Sequence, residues 1–307
     1  MSTLPITNAK KYTDFDAIAK LEDSAIILAH TGDGIHKITY GELKAGMKDL
    51  FTEEFAGFQG DVEAINGVLA KINATGAGAH NSIYRGKNLG TSVTAAQYAA
   101  IKAGTFDDMY IGDYWVINGT TYRIAAFDYY YRTGDTSCDT HHVTLVPDSQ
   151  MYTHVMNDTN DTTGAYVGSK MYTEGLEQAK TTINTDFGSA HVLSHRQYLK
   201  NAVTNGYESG GSWYDSTVEL MTEQNVYGGR VFANVQCGTA LPAGHTVDKS
   251  QYPLFAFRPD LISNRQWYWL RDVVSAALFA VVTDNGSADY YDASYAYGVR
   301  PAFSIKS

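Results

Sequence analysis

The chain has 307 residues, 44% apolar and 18% charged, with a formal net charge of −10. That balance describes a folded chain rather than a disordered one. Its acidity, with no stretch concentrating Lys or Arg, argues against nucleic acid as a partner, because phosphate binding needs a basic footprint.

In chain order, residues 1–75 are expected to form a small segment of their own. The opening "MSTLPITNAKKYTDF" lacks the charged-then-apolar layout of a secretory signal. A strand at Ala25–Ala29, a turn at Gly32-Asp33-Gly34 and a strand at His36–Tyr40 read as a hairpin, with a helix from Gly41. Phe51, Phe55, Phe58, Val62, Ile65, Leu69 and Ile72 follow at spacings of 4, 3, 4, 3, 4 and 3, the a/d period of a coiled coil. Gly57 and Gly60 are expected to interrupt that helix and leave Val62–Ile72 as its continuous part. The seam suits either self-association or packing within one chain. "NATGAGAH", Asn73–His80, reads as a hinge, and a Gly-rich linker is expected over 76–90.

Residues 91–307 are expected to fold as one α+β domain. "SVTAAQYAAIKAGTF" predicts a short helix capped by Ser or Thr. "YWVINGTTYRIAAF" predicts a hairpin turning on Asn118-Gly119. "HHVTLVPD" reads as a strand ended by Pro147, and "SKMYTEGLEQAKTTINTDFG" as a helix to about Ile183 with Gly188 beyond it. "STVELMTEQNVYGG" reads as a strand, Val218–Met221, entering a helical turn, while the glycine pairs of "YGGR" and "SGGS" read as loops. "LFAVVTDNGSADYY" predicts a second hairpin, on Asn285-Gly286, and "GVRPAFSI" one last strand. No apolar run approaches the roughly 18 residues of a membrane span, so no membrane insertion is expected.

Motifs of catalysis are missing: no G-x-S-x-G, H-E-x-x-H, Walker or dinucleotide pattern occurs. Cys138 and Cys237 form neither a disulfide framework nor a zinc set, and read as two buried thiols or a single disulfide. His141 and His142, adjacent on an expected strand, would face opposite ways and could not share a metal. His191 and His195 would share a helical face, but no third ligand is suggested. "NDTNDTTG", Asn157–Gly164, lacks the spacing of a calcium loop. No catalytic residue, metal or cofactor is assigned.

The residues "WYWLRD" and "GVRPAF" carry a resemblance. They resemble a C-terminal domain of unknown function with a Trp-Leu-Arg element and a closing Gly-Val-Arg-Pro, and they look like the variable proteins of diversity-generating retroelements. The resemblance covers about Asn81–Ser307, with its specific motifs in Arg265–Ser307. It implies a C-type-lectin-like fold related to the formylglycine-generating enzyme, and codons of the form NNY at diversified positions. Such codons cannot encode Met, Trp, Lys, Glu or Gln. These five types make up 44 of the 307 residues, yet none occurs in Leu270–Ile305. The reactive cysteines of the enzyme and the Glu-Pro-Asn or Gln-Pro-Asp ligands of sugar-binding lectins are absent, so neither activity carries over. "DGIHKITYGELK" is similar to the virion-attachment segments of phage fibre proteins.

The resemblance implies a phage receptor-binding or fibre-type protein of the virion, joined to a virion structural protein through its N-terminal segment and expected as a homotrimer. A host cell-surface protein or glycan is the expected ligand. The variable segment is expected at 266–303. Within it, Leu278, Val281, Thr283, Asp284, Asn285, Ser287, Asp289, Tyr291, Asp292, Tyr295 and Tyr297 are the expected ligand contacts, because Tyr, Ser, Asn and Asp are the residues binding loops use. Trp267, Trp269, Leu270, Arg271, Gly298, Val299, Arg300, Pro301 and Phe303 are the expected scaffold, with the two arginines paired to buried carboxylates or backbone carbonyls. A structural head-fibre or decoration protein with weak adhesion, and a polysaccharide-acting virion enzyme, are the alternatives.

Overall fold

The computed structural model describes residues 23–31, 33–72, 75–235, 242 and 250–307. Expectations that fall on residues 1–22, Gly32, Asn73, Ala74 and Cys237 lie outside the described residues. The chain divides into two compact units, Met1–Lys71 and Ile72–Ser307.

In the first unit, β1 (Ile26–Thr31) and β2 (Gly34–Thr39) pair antiparallel, Ile26 opposite Thr39. The chain then enters α1 (Tyr40–Ile72), a helix of 33 residues. Thr39 and Glu42 start it reciprocally: the Glu42 amide donates to Thr39 Oγ1 at 3.1 Å, and the Thr39 amide donates to the Glu42 carboxylate at 2.8 Å, a capping box. Contrary to expectation, α1 runs unbroken through Gly57 and Gly60. A helical glycine costs about 1 kcal/mol relative to alanine but does not break hydrogen bonding as proline does. The seam residues Phe51, Phe55, Phe58, Val62, Ile65 and Leu69 are all exposed.

In the second unit, the linker expected over 76–90 is instead folded structure. Ala77–His80 forms α2, and buried His80 holds the Met109 carbonyl through Nδ1 at 2.5 Å. Asn81 exchanges two hydrogen bonds with the Phe127 backbone, at 2.9 and 2.8 Å. Buried Asp113 accepts from the Arg85 guanidinium and from the Lys87 amide. Glycine content misled here, because the intervening polar side chains tie the segment down.

Next comes α3 (Ala95–Ala103), opened by a Thr94–Gln97 capping box and closed by left-handed Gly104. The strands β3 (Tyr114–Ile117) and β4 (Thr120–Phe127) turn on Asn118 and Gly119, both at positive φ (48° and 83°), as a two-residue hairpin requires. β5 (Val143–Pro147) and β6 (Tyr152–Val155) follow. A π turn at Met171–Gly175 leads into α4 (Glu177–Phe187), one turn longer than expected.

His195 opens a strand, β7 (His195–Thr204), while His191 closes a short 3₁₀ turn, so the shared helical face expected for the two histidines does not form. β7 pairs with β8 (Tyr207–Ser216) around Asn205-Gly206, a hairpin not anticipated, and the "SGGS" glycines lie inside β8 rather than in a loop. β9 (Val218–Leu220), α5 (Glu223–Tyr227) and α6 (Pro253–Phe257) precede the C-terminal strands.

Those strands are β10 (Tyr268–Val273), β11 (Leu278–Val282), β12 (Ala288–Asp292), β13 (Ala296–Val299) and β14 (Pro301–Ile305). "GVRPAFSI" is thus two strands, not one, divided at Arg300. They belong to different sheets, ordered β12-β11-β10-β13-β6 and β3-β4-β5-β14-β9. The unit is α+β.

Alternation along β10 and β11 divides the core. Tyr268, Leu270, Ala280 and Val282 join a cluster with Trp115, Ile124, Leu145 and Phe303 of the second sheet. Trp269, Val273, Phe279 and Val281 join another with Met156, Tyr166, Leu199 and Leu220. The central strands β10 and β11 are therefore covered on both faces, which explains why they read as near-continuous apolar runs.

Candidate functional site

Burial alone accounts for part of the missing residue types in Leu270–Ile305. β10 and β14 are wholly buried, and β11 nearly so, and such strands seldom carry Lys, Glu or Gln. That tendency has exceptions in this chain, where buried β9 carries Glu219, and it does not reach residues 284–297, where every residue except Ala293 is at least partly exposed.

The hairpin tip within this stretch is a fixed turn. The Thr283 hydroxyl donates to Asn285 Oδ1 at 2.6 Å, and the Ser287 amide donates to the same oxygen at 3.0 Å. Gly286, at φ 88°, is pinned from outside by the Tyr227 hydroxyl, which donates to its carbonyl at 3.1 Å. Ser263 Oγ donates to the Asp284 carbonyl at 2.7 Å. Three expected contacts are corrected on this geometry. Val281 is fully buried in the core, Thr283 is buried in the turn, and Leu278 packs against the first core cluster. Alternation cannot assign a ligand-facing side to a strand buried on both faces. Asn285 and Ser287 are exposed but serve the turn, and Asp284 is exposed beside them.

The structure brings together another group. Tyr291 on β12, Tyr295 in the following turn and Tyr297 on β13 converge with Trp267, just before β10. Trp267 and Tyr297 stack at 5.4 Å between centroids, with 21° between planes. Tyr295 continues the stack at 6.3 Å and 18°. Tyr291 stands edge-on to all three, at 5.9, 4.6 and 5.2 Å from Trp267, Tyr295 and Tyr297. Mutual edge-to-face and stacked packing joins the rings to one another, while Trp267, Tyr291 and Tyr297 also pack against the second core cluster. Tyr295, half exposed, is the most accessible of the four.

Below them lies Trp269, fully buried, its indole N–H donating to the His154 carbonyl at 2.9 Å. Trp267, expected as scaffold, is half-buried against the second core cluster and also joins the aromatic group. It lies two residues from Trp269, and that spacing was the available signal. Asp289 faces the same side of the sheet, opposite Val281 in register. Burial first, then Tyr291, Tyr295 and Asp289, push the Tyr297 hydroxyl up to about 12, so it stays a neutral hydrogen-bonding group at neutral pH. Asp292 is half-buried at the end of β12.

Other residues of the expected frame are engaged inside the fold. Arg300 donates to the carbonyls of Pro147, Ile262 and Leu261 at 2.9, 2.9 and 3.0 Å. Arg271 lies over Tyr166 at 5.9 Å, and the Gln197 amide, with its oxygen turned toward it, accepts from both terminal nitrogens at 3.2 and 3.0 Å. Gly298 lies against Gln150, whose side chain occupies the space a Cβ would need.

A separate concavity of about 360 Å³ is lined by Cys138, His195, Arg196 and Asp215. Burial raises the free Cys138 thiol and drives His195 down to about 3, the reverse of what a nucleophile and base need. His141 and His142 precede β5 rather than lying on it. His141 Nδ1 meets Asp128 Oδ2 at 2.7 Å, and buried His142 accepts from the Tyr130 amide. Among the described residues, no group of three or more His, Cys, Asp or Glu side chains is placed to hold a metal ion, and no helix is long and apolar enough to cross a membrane.

A family model described as "Domain of unknown function (DUF6273)" matches residues 221–307. No curated protein and no solved structure matches the chain.

Proposed function

We propose that the chain is a receptor-binding or fibre-type protein of a phage particle, whose second unit has a C-type-lectin-like fold and presents a non-catalytic, diversifiable face to a host-surface ligand. The observation that carries this reading is the four-ring group in which Tyr291, Tyr295 and Tyr297, on a partly exposed stretch (284–297) that lacks Met, Trp, Lys, Glu and Gln, meet Trp267. Each ring can cover roughly 150–250 Å² of a partner, and tyrosine does so at small entropic cost. The first unit attaches the protein to a virion structural protein. Its exposed seam, Phe51 to Leu69 on α1, joins three copies.

The test is Tyr291→Ala combined with Tyr295→Ala. Host-cell binding is expected to fall at least tenfold while circular dichroism and the unfolding midpoint stay near the parent; undiminished binding rejects the assignment. Sequencing the gene across a population tests the retroelement link separately. Substitutions should concentrate at adenine-derived codons of residues 284–297, beside a template copy and a reverse transcriptase.

A further inference from the structure

The charge around the aromatic group points to the chemistry of its ligand. From Gln266 to Ile305 the cations are Arg271 and Arg300, 6% and 1% exposed, and both are engaged inside the fold. The carboxylates that reach solvent over the same span are Asp284, Asp289 and Asp292. Among the described residues no Lys, Arg or His forms an ion pair with any of the three; Asp289 Oδ1 accepts only the neighbouring Tyr290 amide, at 2.8 Å.

A second loop adds to this sign. The Ser294 amide donates to Asn160 Oδ1 at 3.2 Å and the Asn157 amide to the Ala293 carbonyl at 2.9 Å. These bonds bring exposed Asp158 and Asp161 alongside the turn between β12 and β13. Lys170 offsets Asp158, at 2.7 Å, whereas Asp161 accepts from the Thr163 amide and hydroxyl and keeps its charge. Exposed Arg265 lies beside the hairpin tip, where its amide donates to Ser263 Oγ at 3.2 Å.

Resting on the recognition reading above, we infer that this face takes a protein surface presenting a Lys or Arg side chain, which sets its cation against the half-exposed rings beside Asp289. Asp292, on the other face of β12 opposite Leu278, adds to the negative potential from the strand end. Ring faces attract cations through their quadrupole, and neighbouring carboxylates strengthen that attraction. An anionic glycan is repelled by the same carboxylates, and a neutral one would bury them without a compensating charge.

The test uses the full chain and isothermal titration with three probes: hexa-arginine, hexa-glutamate and maltohexaose. Asp289→Asn with Asp292→Asn is compared with Asp107→Asn with Asp139→Asn, which removes two exposed carboxylates elsewhere. Hexa-arginine is expected to bind the parent and the distant double variant alike, and the Asp289/Asp292 variant about tenfold more weakly. Equal weakening in both double variants would show attraction to overall charge only and overturn the inference. So would binding of maltohexaose without hexa-arginine. Host-cell binding separates the two readings. If the Asp289/Asp292 variant binds cells like the parent while the tyrosine variant does not, the cation inference falls and recognition stands. If the tyrosine variant binds like the parent, recognition itself falls.

Discussion

Arg300 donates through Nη1 to the hydroxyl of Tyr268 at 3.3 Å while its guanidinium carbon lies 5.1 Å from the centroid of the same ring. One side chain thus meets both ends of its neighbour, and does so between two sheets, since Tyr268 starts β10 and Arg300 separates β13 from β14.

Replacing Arg300 by Lys tests that junction. A lysine keeps the charge but cannot present a planar fork to the carbonyls of Pro147, Leu261 and Ile262. Buried acceptors left unpaired cost about 1–3 kcal/mol each. Arg300→Lys should therefore lower the unfolding free energy by at least about 2 kcal/mol, read from the urea midpoint. A midpoint equal to the parent's would show that the fork is dispensable.

The glycines of α1 offer the opposite experiment. A Cβ placed at Gly46, Gly57, Gly60 or Gly67 meets nothing within 4 Å; Gly46 precedes the seam and the other three fall between its residues. Each Gly→Ala substitution should stabilise the helix by about 1 kcal/mol, seen as greater ellipticity at 222 nm in the full chain. Loss of helicity would mean that another surface needs those positions bare.

Acid should weaken the second unit through His195, which is buried and stacks on Tyr130 at 3.9 Å. Burial, with help from His142 and Arg271, lowers its folded value from 6.5 to about 3. The unfolded chain therefore takes up a proton near 6.5 that the folded chain refuses until about 3. Stability is fully present above pH 6.5 and declines as pH falls toward 3. His195→Phe retains an aromatic ring without that proton, so its stability loss between pH 7 and pH 4 should be smaller by on the order of 3 kcal/mol. Parallel pH profiles for the two proteins would refute the assignment.

Turn and cap chemistry was legible wherever it stood between apolar strands or helices, as at Asn118-Gly119, Asn285-Gly286 and the Thr94–Gln97 box. The same Asn-Gly signal at Asn205-Gly206 went unread because "YESGGSWYDS" has no apolar alternation to mark a strand; its burial is mixed along its length. The division at Arg300 was also hidden, since "GVRPAFSI" looks like one strand and only pairing partners reveal two. In the aromatic group, residue type singled out Tyr291, Tyr295 and Tyr297, which the structure brings together. It could not reject Val281, because a sheet buried on both faces carries no inside-outside rhythm. Trp267 was passed over because its partners lie up to 30 residues away in the sequence.

The division at Arg300 has a consequence for synthesis. β13 lies between β10 and β6, and β14 between β5 and β9, so each of the two five-stranded sheets is left with a gap until residues 296–305 have been made. At about 5–20 residues per second on the ribosome, roughly 10–40 s separate Tyr114 from Ile305. Through that interval the strands flanking each gap lack their partner, and an unpaired strand edge is a surface on which other chains can pair.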